Sequence, residues 1–265
     1  SDFRAAVLHE IGAPLAIEKI KGAPVGSNDV RVRIRATSLC HTDLEVIDGS
    51  LRYPLPMVLG HEASGEIAEV GRDVTDVRVG DHVVLSWNPH CGHCFQCDRD
   101  QPILCDTYIE AGPRGMHFDG TSKASFPSGS PLAHLMFLGT FAEYCVVPAQ
   151  QAIVVPKEIP FDRSCLIGCG VMTGVGGALN IANIRQGDTV MVFGCGAVGL
   201  AAVQGAKLAG AGTIMAVDLD DAKLGIAARL GADKCVNATR DDPVEAARAS
   251  TGGRGADVVL ESAGH

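Results

Sequence analysis

Thr189-Val-Met-Val-Phe-Gly-Cys-Gly-Ala-Val-Gly199 is an apolar, β-branched run that ends in three spaced glycines, and an Ala/Leu-rich stretch follows it to Ala209-Gly210. A buried strand, a tight turn and a helix account for that order. Gly194, Gly196 and Gly199 would permit the turn and the close approach of a pyrophosphate to the free amides at the helix N-terminus. The pattern alone is weak, and a glycine-rich packing turn is the competing reading. Its context strengthens it, because residues 213–217 read as a second strand and Asp218 closes that strand. An acid at this place binds the adenosine ribose hydroxyls and repels a 2′-phosphate, so NAD is expected over NADP.

The alternation continues downstream. Residues 221–230 read as a helix, 234–236 as a short strand, 243–250 as a helix and 256–260 as a fourth strand. Strands alternating with helices at this spacing imply parallel βαβ units and a doubly wound sheet. Such a sheet usually has six strands. Four are visible before the sequence stops at Glu-Ser-Ala-Gly-His265, so the expectation is a domain incomplete within this sequence. Upstream the texture is β. Residues 30–35 alternate apolar and charged side chains, the mark of a strand with one wet face, and 65–71 and 81–85 continue in that style. Residues 105–139 turn to Gly, Ser, Pro and Thr and read as one long loop. The fold class is therefore α/β, with a β-rich domain over residues 1–170 and a dinucleotide-binding Rossmann domain over 171–265.

The chain has 265 residues, long enough for two domains with full cores. With 22 basic against 31 acidic residues its formal charge is −9, which repels nucleic acid and anionic membranes. No nucleic acid and no membrane is expected as a partner. The first twenty residues show no apolar core segment, so no signal peptide is expected. Residues 164–184 run without a charge, long enough to span a bilayer, but five glycines and two asparagines suit a packed interior better.

Ten cysteines are too many to ignore, and disulfide frameworks belong mainly to small secreted chains. Four fall close together as Cys91-Gly-His-Cys94-Phe-Gln-Cys97 with Cys105 eight positions on. That spacing lets four thiolates close a structural tetrahedral zinc site over about residues 90–106, with His90 and His93 as alternative ligands the cysteines do not need. A second set is dispersed: Cys40, His61-Glu62 and Cys169. Two thiolates and an imidazole are the three-ligand pattern of a catalytic zinc with an open position, although spacing alone does not join them. Cys145, Cys165, Cys195 and Cys235 remain and read as packed thiols.

Together these residues resemble the zinc-containing alcohol dehydrogenases of the medium-chain dehydrogenase/reductase family. The landmarks run from end to end: Cys40-His-Thr-Asp43, Gly60-His61-Glu62, the four-cysteine lobe, Gly139-Thr-Phe-Ala-Glu-Tyr144, Cys169-Gly-Val-Met-Thr173 and the glycine fingerprint. The resemblance implies a GroES-like catalytic domain beside the Rossmann domain and two zinc ions per chain, one catalytic and one structural. It also implies hydride transfer between NAD and a small-molecule alcohol, giving an aldehyde or ketone, in a cytoplasmic homodimer or homotetramer. Cys40, His61 and Cys169 would hold the catalytic zinc, and Glu62 would approach it during ligand exchange. Asp43 would orient His61, and Thr42 would accept the substrate proton. His41 would lie near the pyrophosphate, Asp218 and Lys223 at the adenosine ribose, and Thr173 and Val198 at the nicotinamide. Trp87 and Leu138 would line the substrate pocket, with Phe137 adding to an apolar wall. A non-enzymatic relative would be expected to have lost the catalytic ligands, and all three are present with Thr42.

Two positions depart from the family pattern. Where many liver-type relatives end the proton relay with histidine, this chain has Glu45, which is then the candidate acceptor. Where the glutathione-dependent formaldehyde dehydrogenases carry arginine, it has Ile109, which argues against a glutathione adduct as substrate.

Overall fold

The computed structural model describes residues 2–264, and they divide into two units, one ending at Cys169 and the other beginning at Gly170. The first unit is built on two five-stranded sheets. In chain order it carries β1 (Asp2–Leu8), β2 (Ala16–Gly22), β3 (Asp29–Thr37), α1 (His41–Asp48), β4 (Met57–Val58), β5 (Ala63–Val70) and β6 (His82–Leu85). After these come α2 (Asp106–Ala111), β7 (Ala124–Ser125), β8 (Ala133–His134), β9 (Tyr144–Pro148), β10 (Ala152–Val154) and α3 (Phe161–Ser164). The sheet orders are β7-β2-β1-β4-β8 and β10-β6-β5-β3-β9.

The alternation in β3 does place Val30 and Val32 in the core, packed with Ile67, Val83 and Val147 from its neighbours. The expected wet face is interrupted at Arg31, which is 9% exposed. Its guanidinium is held by Glu69 at 2.9 Å and by the Ala23 carbonyl at 3.1 Å, and a buried arginine persists only with such partners.

The segment 105–139 departs from the single loop expected of it. It folds α2, β7 and β8, because Cys105 caps a short helix and the two-residue strands pair at sheet ends. The uncharged stretch 164–184 is likewise not a uniform interior. Leu166 and Ile167 before its middle and Ile181 near its end are exposed, the last at 77%. No single helix among the described residues is long and apolar enough to cross a membrane.

The second unit holds α4 (Gly170–Gly176), β11 (Thr189–Phe193), α5 (Ala197–Leu208), β12 (Thr213–Asp218), α6 (Asp221–Leu230), β13 (Lys234–Asn237), α7 (Pro243–Ser250) and β14 (Val258–Glu261). All pairs in its sheet are parallel, in the order β13-β12-β11-β14. Asp220 and Asp242 cap α6 and α7 through their carboxylates, which sets where both helices begin.

Candidate metal centres and dinucleotide cradle

None of the ten cysteines is in a disulfide. Cys91, Cys94, Cys97 and Cys105 bring their sulfurs within 4.8 Å of one another. Cys94 Sγ lies 3.5 Å from Cys97 Sγ and 3.9 Å from Cys105 Sγ. Tetrahedral zinc with four thiolates at their usual bond length needs sulfurs ~3.8 Å apart. The four donors therefore fit zinc, with no position left for substrate. The Cys97 amide holds the Cys94 thiol down at about 6, whereas burial and its thiol neighbours push Cys97 up to about 11. Neither His90 nor His93 belongs to the cluster.

A second cluster joins residues far apart in sequence. The donor atoms of Cys40, His61 and Cys169 all lie within 4.8 Å. Cys40 is the N-cap of α1, His61 stands two residues before β5, and Cys169 follows the turn at 165–168. Both ring nitrogens of His61 are buried and make no hydrogen bond of good geometry, although Nδ1 faces Asp43 at 3.4 Å. A buried imidazole held so loosely is costly unless an electrophile takes one of its nitrogens. Two sulfurs and one nitrogen so placed fit a three-ligand zinc.

Asp43 organises this centre. One carboxylate oxygen accepts from the Gly60 amide at 3.0 Å and faces His61 Nδ1 at 3.4 Å, while the other accepts from the Cys40 amide at 3.1 Å. Bonds from the Cys169 and His61 side chains hold the Cys40 thiol down at about 3. Burial opposes charge on His61, but Asp43 and Cys40 raise it to about 9. Thr42 and Glu45, one turn apart on α1, are half-buried, and His41 is exposed.

Glu62, next to the donor His61, is buried, and the donor cluster closes without its carboxylate. Leu138 is 1% exposed and belongs to the sheet core, and Trp87 packs half-buried against the same core. Phe137 is fully buried. Cys235, expected to be packed, is exposed on β13 at the sheet edge, while Cys145, Cys165 and Cys195 are buried.

In the second unit the glycine turn sits between β11 and α5. Gly194 has φ +84, where a side chain would be strained. A Cβ on Gly199 would collide with the Gly194 carbonyl oxygen, but one on Gly196 would meet nothing within 4 Å. Gly199 thus packs the turn, and Gly196 leaves an open cradle at a helix N-terminus, which fits a pyrophosphate. Asp218 accepts from the Cys195 amide at 2.6 Å with one oxygen and from the Leu219 and Asp220 amides with the other. Burial opposes its ionisation, but those amides and Lys223 hold its carboxyl below the usual range. Thr173 on α4 and Val198 on α5 are brought near one another because Gly174 seats one helix on the other, where an added Cβ would lie 2.7 Å from that of Ala201.

The arrangement matches known proteins along the whole chain. The family model for the alcohol dehydrogenase GroES-like domain matches residues 26–157, and that for zinc-binding dehydrogenases matches residues 197–265. Alcohol dehydrogenase class-P of Arabidopsis thaliana is 39% identical over 264 residues, covering 98% of this chain and 69% of that protein. S-(hydroxymethyl)glutathione dehydrogenase of Synechocystis is 40% identical, covering 99% and 71%. The crystal structure of an alcohol dehydrogenase zinc-binding domain protein from Burkholderia ambifaria superposes with a TM-score of 0.94 at 40% identity, covering 100% of this chain and 71% of that one.

Proposed function

The chain belongs to the zinc-containing alcohol dehydrogenases of the medium-chain dehydrogenase/reductase family, and from that premise we propose how its own residues carry hydride transfer between an alcohol and NAD. The observation that carries the reading is the convergence of the donor atoms of Cys40, His61 and Cys169 within 4.8 Å, around a buried imidazole whose Nδ1 faces Asp43. Bound at those donors, zinc would supply the Lewis acidity that makes an alcohol hydroxyl acidic near neutral pH, and the nicotinamide would supply the hydride acceptor.

The side chains do the remaining work. Thr42, two residues beyond Cys40, takes the hydroxyl proton, and Glu45 one turn along α1 receives it on the way to solvent. Asp43 fixes the imidazole of His61 and the backbone at Gly60 and Cys40, so the donors keep one geometry. Glu62 waits in reserve as the acid that exchanges at the metal, and His41 at the exposed start of α1 is the cation for the pyrophosphate. Gly194, Gly196 and Gly199 shape the cofactor turn, Thr173 and Val198 face the nicotinamide, and Asp218 with Lys223 selects NAD through the ribose hydroxyls. The four-cysteine lobe holds a second, structural zinc. Trp87 and Leu138 bound the substrate side. Exposed Ile109 offers no charge to a glutathione carboxylate, so simple primary or secondary alcohols are the substrate class. Unpaired zinc-type thiols suit the reducing cytoplasm, and the working form is a homodimer or homotetramer.

The test is elemental analysis and a steady-state assay of purified, zinc-replete protein. Two zincs per chain and alcohol-dependent NADH formation are expected. Absence of NADH formation across short, long and aromatic alcohols would sink the reading.

A further inference from the structure

The four-cysteine lobe is tied to more than its own metal. Cys105, its last donor, is fully buried and caps α2, so the helix starts where the metal site ends. Tyr108, in the first turn of α2, donates its hydroxyl to the Trp87 carbonyl at 3.3 Å. Its ring meets Phe137 edge-on, with centroids 5.4 Å apart. Gly112 lies under the same ring, where a Cβ would come within 3.1 Å of it. One residue past Trp87, the Asn88 side-chain Nδ2 donates to the Ile103 carbonyl inside the lobe at 3.3 Å. On the other side Ser86 is held by Gln151, whose carbonyl accepts the Ser86 amide at 2.8 Å. The backbone around Trp87 is therefore clamped between the sheet and the lobe.

We propose that Tyr108 is a positioning residue that couples the four-cysteine lobe to the substrate wall at Trp87. The wall assignment rests on the function proposed above, but the coupling itself rests on these contacts. With the lobe closed, α2 sets the Tyr108 hydroxyl on the Trp87 main-chain carbonyl, which anchors the backbone from which the indole projects. A lobe that loosens lets Trp87 shift, and a small misplacement at a substrate wall is felt most by bulky substrates.

Trp87 is the only tryptophan of the chain, so its fluorescence reads the coupling directly. Tyr108→Phe removes the hydroxyl and keeps the ring, and Tyr108→Leu removes the aromatic contact. In Tyr108→Phe, with zinc content and melting midpoint as in wild type, the emission shifts and kcat/KM for benzyl alcohol falls about two- to tenfold, the range of one neutral hydrogen bond. The ethanol value stays within twofold on the same scale. Tyr108→Leu loses the aromatic contact as well and enlarges both effects, to about 5- to 100-fold for benzyl alcohol. Unchanged emission and an unchanged benzyl-to-ethanol ratio in both variants overturn the proposal. So does a change that appears only with loss of lobe zinc, which would make Tyr108 a stability residue. Should wild type oxidise no alcohol, the functional reading fails, while the emission arm still decides the coupling.

Discussion

Asp43 shows how one side chain binds several parts of a site together. Its two oxygens take the Cys40 and Gly60 amides and face His61, so two metal donors and the segment between them depend on one carboxylate. Asp43→Asn should leave the protein folded and lower zinc affinity at the catalytic site by about 10- to 100-fold, as loss of an orienting partner does. Chelator competition measures it, and wild-type affinity in the variant would remove Asp43 from that role. Asp218 is the counterpart in the second unit, its carboxylate aimed by three backbone amides. Asp218→Asn keeps an acceptor and removes the charge, so the ratio of kcat/KM for NADP over NAD should rise about tenfold or more, one charge repulsion of roughly 1.4 kcal/mol. Asp218 was legible in the sequence at the end of the second strand after the glycine turn, and Asp43 through the family resemblance carried by Cys40-His-Thr-Asp43.

At the scale of elements, the turn after β11 separates packing from binding. Gly196 has φ −76, open to any residue, and free space where its Cβ would stand, whereas Gly199 abuts the Gly194 carbonyl. Gly196→Val should therefore melt like wild type and lose NADH binding by about 100-fold, read by fluorescence titration, because the added bulk fills the pyrophosphate space. Gly199→Ala should instead lower stability by about 2–3 kcal/mol through overpacking, seen as a fall in the melting midpoint. Equal melting of the two variants would contradict this division. The helices α6 and α7 start and stop where the sequence reading placed them, because Asp220 and Asp242 cap them and the signal is local. The stretch 105–139 was read as loop because its short helix and two-residue strands have no periodicity of their own. They form only when Cys105 is drawn to the lobe and the sheet edges arrive to pair.

For the molecule as a whole, acid is the informative stress. His117 and His134 are buried with their rings 6.0 Å apart. Burial first, then His134 and Lys123, pulls His117 down to about 3, and burial with Lys123 pulls His134 down to about 4. Each stays neutral in the folded state where the unfolded chain would protonate. Between pH 6.5 and about 4 the unfolded chain therefore binds more protons, so stability is full above that window and falls as pH drops through it. Each histidine contributes up to about 1.4 kcal/mol per pH unit. His117→Gln should flatten the loss of melting temperature between pH 7 and pH 5 relative to wild type, and parallel curves would show that the histidine is not responsible. The sequence by itself determined the parallel βαβ order, the glycine turn with its acid and the four-cysteine lobe, because periodicity, caps and short ligand spacings act within a few residues. The folded chain alone brings Cys40, His61 and Cys169 to one centre and carries Tyr108 to the Trp87 carbonyl. Those contacts join segments tens of residues apart, and what brings them together is burial in a common core, which no local pattern records.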